Sequence, residues 1–305
     1  MEDTILSVCL ITYNHVKFIR EAIEGVLNQE VNFTFELIIA DDFSNDGTRE
    51  ILLEYKKQYP DKIKLVLQKT NVGAARNWLD LINAPKSKYI AYFEGDDYWI
   101  DSHKLQKQID FLENNQEFVL CFHDAYVIDV TKKTKPFSNC KKGVYLGEDI
   151  LRKWLVPTGS IVFRNVVSNR LPSFFANVTH GDLALLLFLS EFGKFKYMPG
   201  FYSIYRINSN SITKSIFSGI DHNLKHIRQI DEMQHFFGDK YKKPLLKRKL
   251  SYMLSTAILY MKIGKKSDAK MLLKNIKKIS PRFLLFNFLS VIKLLCFSLS
   301  NKSQI

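Results

Sequence analysis

The chain has 305 residues, 46% hydrophobic and 25% charged, which excludes a disordered or fibrous protein and predicts one sizeable globular domain with an appendage. Its net charge of +13 is concentrated at the end, because residues 222–305 contain 18 Lys and Arg against 4 Asp and Glu, whereas the first 221 residues contain 26 against 27. The body is therefore nearly neutral, and the basic end predicts contact with an anionic surface.

The first third of the chain alternates between strand and helix patterns. Apolar runs predict strands at residues 5–12, 35–40, 63–68 and 88–93. Helical spacing predicts helices up to about Gln29 and at residues 47–59 and 72–83, with Asn14 and Asp46 placed to cap the first two. This alternation predicts an α/β fold whose central sheet is mostly parallel.

The middle of the chain, residues 101–221, mixes both patterns. We predict a helix from Asp101 to Asn114 and a second helix over residues 180–193, which begins at His180 to Asp182 and ends at Gly193. Strands are predicted at residues 118–128, 159–165 and 201–208, with a polar hairpin around residues 131–139. We therefore expect one α/β domain over residues 1–218.

The pattern from Gly219 to the end is entirely helical, which predicts a second, basic region over residues 219–305. Residues 247–281 predict a helix–turn–helix with Gly264 in the turn, Ala269 at the helix contact and Pro281 after the second helix. A tetratricopeptide-like unit and an ordinary helical hairpin both fit. Residues 283–299 are apolar nearly all round; they are marginal as a membrane span and fit either a buried helix or an interfacial anchor.

Polar side chains collect where the first four predicted strands end. They are Thr12, Tyr13 and Asn14, then Asp41 and Asp42, then residues 71–77, and finally Glu94, Asp96 and Asp97. Ligands of parallel sheets bind outside the carboxyl ends of the strands. The sequence therefore predicts a cleft built from four loops.

The chemistry of these residues fits a nucleotide diphosphate. Carboxylates beside a glycine supply hard oxygen ligands for Mg²⁺ or Mn²⁺, which in turn bind phosphates. Asp42 can accept hydrogen bonds from a base or a ribose, and Tyr13 can stack on a base. Arg76 can pair with a phosphate or form a surface pair within its helix. For Asp41 and Asp42 a helix-capping turn is the alternative, and for Asp96 and Asp97 a solvated loop.

Six segments together resemble glycosyltransferase family 2 with the GT-A fold. They are "SVCLITYN", "IIADDFSNDGT", "TNVGAARN", "YFEGDDYW", "GDLALLLFLSEFGKFKYMP" and "YRINSNSI". Each segment is weak by itself, but their order and spacing span about two-thirds of the chain. The resemblance implies a Rossmann-like nucleotide-sugar-binding domain and transfer of a sugar to an acceptor hydroxyl.

The resemblance also implies roles for individual residues. Ile11 and Tyr13 border the base, Asp42 contacts the uracil or the ribose, and Asp96 lies near the ribose or the diphosphate. Asp97 ligates the metal, which is Mn²⁺ or Mg²⁺.

On the acceptor side, Asp182 is the catalytic base, although Gly181 replaces the glutamate that usually precedes it. Arg206 lies near the phosphates, and Asn208 stands where the family often has histidine. Trp99 lines the acceptor side or packs the floor of the cleft. His123, Asp124, Thr158 and Ser160 fit an acceptor contact or a structural role.

The mechanism that the resemblance implies is a single in-line displacement with inversion, in which Asp182 deprotonates the acceptor hydroxyl. A UDP-sugar is the expected donor, and a saccharide or a lipid-linked acceptor on the inner face of the cell membrane is the expected partner.

Two other functions compete with this interpretation. A sugar-nucleotide pyrophosphorylase needs a glycine-rich basic loop after the first strand, and the loop "TYNHVKF" has no glycine. A nucleic-acid-binding protein using the basic end lacks a recognised motif and exposed stacking aromatics, so we expect no nucleic-acid partner.

The four cysteines bear on location. They are Cys9, Cys121, Cys140 and Cys296. Their spacing fits neither a metal site nor a redox pair, so we expect a reducing, cytoplasmic compartment, with peripheral attachment to the membrane as an option. The N-terminus lacks the pattern of a signal peptide, so we expect the sequons at Asn32 and Asn177 to be coincidental.

Overall fold

The computed structural model describes residues 4–129, 134–141, 143–168, 170–178, 181–207 and 219–287. The chain divides into two compact units, Met1–Asn208 and Ser209–Ile305.

The first unit is built on one ten-stranded sheet. Its strands are β1 (Leu6–Thr12), β2 (Phe35–Asp41), β3 (Ile63–Leu67), β4 (Tyr89–Glu94), β5 (Tyr98–Trp99), β6 (Phe118–Ile128), β7 (Thr134–Pro136), β8 (Val144–Tyr145), β9 (Val162–Arg164) and β10 (Lys194–Arg206). The order is β3-β2-β1-β4-β9-β6-β10-β5, with β7 on β6 and β8 on β10. The long strands pair in parallel, and every antiparallel pair includes a strand of three residues or fewer. The expected mostly parallel α/β sheet is confirmed.

The described residues of this unit include six α-helices. They are α1 (Ile19–Leu27), α2 (Thr48–Gln58), α3 (Ala74–Asn83), α4 (Lys104–Asn114), α5 (Gly147–Arg152) and α6 (Gly181–Leu189). The apolar face of α1 buries Ile19, Ile23 and Val26 against fully buried residues of β1 such as Val8 and Leu10. Because both faces of β1 are covered, its sequence is apolar almost throughout rather than alternating.

Two predicted caps form in other ways. Asn14 does not cap α1, which begins five residues later at Ile19; it adopts a left-handed φ of 54° and its side chain accepts a hydrogen bond from the Asn45 N–H. Asp46 accepts the Thr48 N–H at 3.0 Å, so it stabilises the first turn of α2 from one residue before the N-cap position. Asp101 accepts the His103 N–H at 2.8 Å, just before α4, which ends at Asn114 as predicted.

Several element boundaries in the middle of the chain were wrong. Thr158–Ser160 is a 3₁₀ turn, so the strand predicted at residues 159–165 is only β9. β10 is 13 residues long and begins at Lys194, seven residues before the predicted strand. The reason is that β6 offers a parallel edge along its length, and β10 pairs with it across register shifts. The short β5, β8 and α5 were not predicted.

The second unit is helical in its described part. It contains α7 (Ile220–Phe237), α8 (Lys242–Lys262) and α9 (Lys266–Ile279), and residues 281–287 are also helical. Gly264 lies in the α8–α9 turn with a φ of 81°, and Ala269 is fully buried, as predicted for a helical hairpin. Leu250, Met253, Leu254 and Ile276 form its core. No described helix combines the length and apolarity needed to span a bilayer; most of residues 283–299 lies outside the described residues.

Candidate active site

The loops after β1 and β2 interlock at the carboxyl edge of the sheet. The Asn14 N–H donates to Ser44 Oγ at 2.9 Å, and the His15 N–H donates to Thr48 Oγ1 at 2.9 Å. The His15 side chain is largely buried, and its burial lowers its pKa despite the nearby Asp96 and Asp46 charges. These bonds fix the backbone directly after the first predicted cleft residues, Ile11 and Tyr13.

The two neighbouring aspartates after β2 have different roles. Asp41 is fully buried and pairs with Arg49, which lies 2.6 Å away, and it also accepts a hydrogen bond from Ser44 Oγ. It therefore holds its own loop, as the turn interpretation predicted. Asp42 instead accepts the Val72 N–H at 2.7 Å, and burial raises its pKa. Asp42 thus joins the loop after β2 to the loop after β3.

Ile11 and Tyr13 lie at the carboxyl edge of the sheet. Ile11 is half-buried between Ala40 of β2 and Glu94 of β4. Tyr13 is 41% exposed, so a ligand can reach it. Both positions are compatible with the predicted contact to a base.

Arg76 forms an ion pair within its own helix. Its guanidinium lies 2.9 Å from Asp80 one turn along α3, and its side chain is 63% exposed. The structure therefore shows the surface helix pair that was the alternative for this residue, and nucleotide binding by Arg76 stays a prediction.

The turn after β4 carries the acidic cluster, which we define as Glu94, Asp96 and Asp97. Gly95 is required inside it, because a Cβ there would lie 3.0 Å from Thr12 Oγ1 and 3.1 Å from His15 Nδ1. Burial, with the charges of Asp96 and Asp182, raises the pKa of Glu94 to about 8. Burial, with the charges of Asp96 and Glu94, also raises the pKa of Asp97 well above its usual value. The cluster is short of positive charge.

Arg206, at the end of β10, meets this cluster from the other half of the sheet. Its N–H donates to Asp97 Oδ1 at 2.9 Å, and its guanidinium donates to the Asp96 carbonyl at 2.8 Å and pairs with Glu21 of α1. The guanidinium carbon also lies 4.2 Å from the Tyr98 ring centroid. The predicted link between Arg206 and the phosphate side of the site is thus geometrically plausible.

Asp182 is the second residue of α6, and its Oδ1 accepts the Leu183 N–H at 2.7 Å. Its charge is the third cause of the raised pKa of Glu94, after burial and the charge of Asp96. At the preceding position, a Cβ on Gly181 would lie 3.3 Å from Cδ2 of the buried Trp78 ring, which is a tight contact. His180 and Asn208 lie outside the described residues.

Trp99 is a core residue, which corrects its prediction as an acceptor-side contact. Its side chain is only 4% exposed, and its ring lies 4.7 Å from the Phe93 ring. Its Nε1 donates to the Gly159 carbonyl at 2.8 Å. It therefore packs the floor beneath the cluster, which was the alternative for this residue.

The polar residues of β6 and of the turn before β9 have structural partners. The His123 Nδ1 lies 2.8 Å from the Asp124 carbonyl, and burial lowers the pKa of this imidazole. Asp124 Oδ1 accepts the N–H groups of Ala125 and Ser138. Ser160 Oγ donates to the Pro157 carbonyl at 2.6 Å, while Thr158 is buried.

The donor set of the acidic cluster fits a divalent cation. Two of its carboxyl groups have raised pKa values because their negative charges are buried together, and a hard cation would relieve that repulsion. Among the described residues, the structure has no ready-made group of three acidic, histidine or cysteine ligands, so substrate oxygens would have to complete the coordination. Glu94 belongs to the acidic cluster, but we assigned it no role from the sequence. Its position in "EGDD" at the end of a predicted strand was the feature that could have indicated one.

Comparison with known proteins decides the family. Residues 7–168, about half of the chain, match the sequence profile of Glycosyl transferase family 2. The chain belongs to this family. This chain is 28% identical over 214 residues to the putative teichuronic acid biosynthesis glycosyltransferase TuaG of Bacillus subtilis. The match covers 69% of this chain and 82% of TuaG. This chain is also 34% identical over 219 residues to a protein of Mycobacterium tuberculosis, and this match spans 70% of the chain and 62% of that relative.

Solved structures show the same fold. This chain superposes on S. aureus TarS 1-349, solved in complex with UDP-GlcNAc, with a TM-score of 0.65. The two chains are 14% identical, and the match covers 92% of this chain and 83% of the TarS chain. This chain also superposes on the mannosyltransferase PcManGT of Pyrobaculum calidifontis, solved with GDP-Man and Mn²⁺, with a TM-score of 0.58. The identity is 14%, and the match covers 97% of this chain and 87% of the PcManGT chain. The fold is GT-A, as the resemblance implied.

Proposed function

We propose that this chain transfers a sugar from a nucleotide-diphosphate donor to an acceptor hydroxyl. The observation that carries the proposal is the contact of the acidic cluster with Arg206, which comes from a distant strand, together with the charge of Asp182, which helps to raise the pKa of Glu94. A carboxylate cluster, an arginine and a separate base are the parts that diphosphate departure and hydroxyl attack require. Family membership makes sugar transfer the reaction class that these parts serve.

The donor is a nucleotide sugar, with a UDP-sugar as the first choice. Tyr13 offers an open ring face for the base, and Asp42 sits at the junction of two loops where it can accept from a base or a ribose. The solved neighbours TarS and PcManGT hold UDP-GlcNAc and GDP-Man, which supports the same ligand class.

A divalent cation, Mn²⁺ or Mg²⁺, would be held by Asp97 with Asp96 and Glu94 beside it. When bound, it would supply positive charge that stabilises the departing diphosphate. Arg206 contributes a further cation, since its guanidinium lies at the Asp96 carbonyl. Asp97 and Trp99 are both buried, so charges on this side of the cluster interact in a poorly solvated environment.

Asp182 acts as the general base, and the reaction inverts the anomeric configuration. Its carboxylate receives the proton of the acceptor hydroxyl while that oxygen attacks the anomeric carbon. The Leu183 N–H holds one carboxylate oxygen of Asp182, which leaves the other to face the acceptor. A single displacement with one base needs no covalent intermediate.

The acceptor is a surface glycan or its lipid-linked precursor, and the enzyme works on the cytoplasmic face of the membrane. Relatives named for teichuronic acid and teichoic acid synthesis support this choice. In the second unit, a groove of about 520 Å³ combines the cations Lys243, Lys247 and Arg282 with an apolar lining. Leu285 and Phe286 beside it are 73% and 88% exposed.

That combination suits the surface of an anionic membrane. Basic side chains attract acidic lipid, at roughly 1 kcal/mol for each residue that engages it, and exposed apolar side chains enter the interface. Attachment through the second unit would bring a lipid-linked acceptor to the enzyme.

A panel of nucleotide sugars, each incubated with the protein and Mn²⁺, tests the proposed function. We expect one or a few donors to be hydrolysed slowly without acceptor, and chelation to stop the release of nucleotide diphosphate. If every donor survives intact and none protects the protein against thermal unfolding, the proposed function is wrong.

A further inference from the structure

A lysine and a glutamine are buried together beneath the acidic cluster. Lys104 and Gln108 lie one turn apart on α4, and both are fully buried. Lys104 Nζ donates to Gln108 Oε1 at 2.7 Å and lies 4.0 Å from the Trp99 ring centroid. Burial lowers the pKa of Lys104 to about 7. A fully buried amine is costly, and an apolar side chain of the same size would fill the space more cheaply.

The hydrogen bonds of this pair lead to the turn before β9. Gln108 Nε2 donates to the Ser160 carbonyl at 2.9 Å, and Trp99 Nε1 donates to the neighbouring Gly159 carbonyl at 2.8 Å. Two buried side chains, Gln108 of α4 and Trp99 of β5, therefore donate to two consecutive carbonyls of the Thr158–Ser160 turn. Gln108 also reaches the Cys121 carbonyl of β6 at 3.3 Å, which ties the same bonds to the sheet.

The turn held in this way faces the metal-binding side of the acidic cluster. A Cβ built on Gly159 would lie 3.9 Å from Asp97 Oδ2, 3.9 Å from Trp99 Nε1 and 3.5 Å from Phe93 Cβ. Gly159 thus lies near Oδ2 of Asp97, whereas Oδ1 of Asp97 accepts the backbone N–H of Arg206. A shift of this turn changes the space around Asp97 directly.

We propose that Lys104 and Gln108 are positioning residues, which fix the Pro157–Ser160 turn against Asp97 through Trp99 and through the Ser160 carbonyl. The inference rests on the proposed function, since the position of the turn matters only if Asp97 serves the reaction. Lys104 holds Gln108 and Trp99 in the orientations that their bonds to the turn need. Gln108 and Trp99 donate the side-chain hydrogen bonds to the Ser160 and Gly159 carbonyls of the turn.

The test replaces the whole buried polar pair with apolar side chains of similar size, Lys104→Met with Gln108→Leu. Replacing both partners of a buried polar pair is often neutral or stabilising for the fold, so this variant should fold. We expect its affinity for UDP with Mn²⁺ to stay within about threefold of wild type, while kcat falls roughly 10- to 100-fold, because displacements of about 1 Å cost that much. A merely structural pair would change stability and leave kcat and the donor KM alone.

The matched control uses the same residue types on the same helix, Lys107→Met with Gln106→Leu, which lie towards the outside of α4. This control should keep the wild-type kcat. Trp99→Phe is the second variant, because it removes only the donor to the Gly159 carbonyl, and we expect it to lower kcat in the same way.

Each result of these measurements either supports the inference or overturns it. Folded variants with wild-type kcat overturn the inference, as does equal loss of UDP affinity and kcat, which would indicate general damage. If the variant that combines Lys104→Met with Gln108→Leu does not fold, the kcat of Trp99→Phe decides whether the inference stands. If wild type itself neither binds UDP with metal nor turns over a donor, the proposed function fails and the inference fails with it.

Discussion

The N–H of Arg206 donates to Oδ1 of Asp97 at 2.9 Å, although the two residues are 109 positions apart in the chain. Asp97 belongs to the turn after β4 and Arg206 to the end of β10, which lies on the other side of β9 and β6 in the sheet. The Arg206 charge and this bond lower the pKa of Asp97, but burial and the charges of Asp96 and Glu94 outweigh them and raise it. The site therefore has a carboxylate that is fixed in place and only partly neutralised, which suits a cation-dependent site.

Asp97→Asn tests this relationship. The asparagine Oδ1 can still accept the Arg206 N–H, but the buried charge is gone. Because burial and the neighbouring Asp96 and Glu94 charges raise the pKa of Asp97, we expect the metal-free variant to melt at a higher temperature than wild type. We expect the rise in Tm with Mn²⁺ and UDP to be lost, and turnover to fall at least about 100-fold. Calorimetric melting with and without metal measures both effects; an unchanged response to Mn²⁺ would remove Asp97 from the metal site.

Asp182→Asn separates binding from transfer. The amide oxygen can still accept the Leu183 N–H, so the start of α6 should be preserved. Loss of a general base should lower transfer by about 10²–10⁴-fold while donor affinity stays near wild type. Single-turnover transfer and UDP titration are the two measurements. Glu191→Gln, just beyond the other end of α6, is the control, and transfer by Asp182→Asn at the wild-type rate places the base elsewhere.

Glu21→Gln tests the ion pair that holds Arg206. The Glu21 carboxylate competes with a diphosphate for the same guanidinium, so its neutralisation should strengthen binding of UDP by about two- to tenfold. Arg206→Lys should weaken it, because the lysine loses the planar contact with Tyr98 and the bond to the Asp96 carbonyl. Titration calorimetry compares the two. Weaker UDP binding by Glu21→Gln would show that the ion pair positions Arg206 rather than competing for it.

Lys104 gives a prediction about pH. Burial lowers its pKa in the folded protein from 10.5 to about 7, so between these values the unfolded chain binds a proton that the folded chain lacks. Over this window the free energy of unfolding of wild type should rise with pH relative to Lys104→Met. Urea unfolding at about pH 7 and about pH 10 measures the difference, with Lys107→Met as the exposed control. A difference that stays constant between the two pH values contradicts a titrating Lys104.

The sequence was sufficient for the local features of this site and insufficient for its long-range contacts. The carboxyl ends of β1 to β4 could be located because a parallel βα repeat places them on one edge. The pairing of Asp41 with Arg49 and the engagement of Arg76 with Asp80 depend on side-chain geometry that helical spacing leaves open. Asp42 and Arg76 were equally good candidates by residue type, and only packing separates them.

The middle of the chain was the least predictable part. The register of β10 on β6 and the 3₁₀ turn before β9 depend on pairing between segments that are distant in sequence. The place of Trp99 after "EGDD" fits either the acceptor side or the floor of the cleft, and the structure shows its ring in contact with Phe93, Lys104 and the Gly159 carbonyl. None of these three contacts is visible as a local pattern.

The second unit supplies a prediction about membranes. The full chain should sediment with vesicles containing anionic lipid at low salt, because its exposed cations add to exposed Leu285 and Phe286. A chain that ends at Ile279 should remain in the supernatant and still hydrolyse donor. Neutral vesicles are the control. If neither chain sediments with anionic vesicles, the second unit has no role at the membrane.

The central claim is that the acidic cluster, Arg206 and Asp182 form a metal-dependent nucleotide-sugar site. Calorimetric titration of UDP into the wild-type protein, once with Mn²⁺ and once with chelator, tests it most directly. We expect a single site whose affinity for UDP is at least about tenfold higher with the metal, since the cation would offset the charges of both the acidic cluster and the diphosphate. Equal affinity in chelator, or no binding of UDP and no binding of GDP under either condition, would contradict the claim.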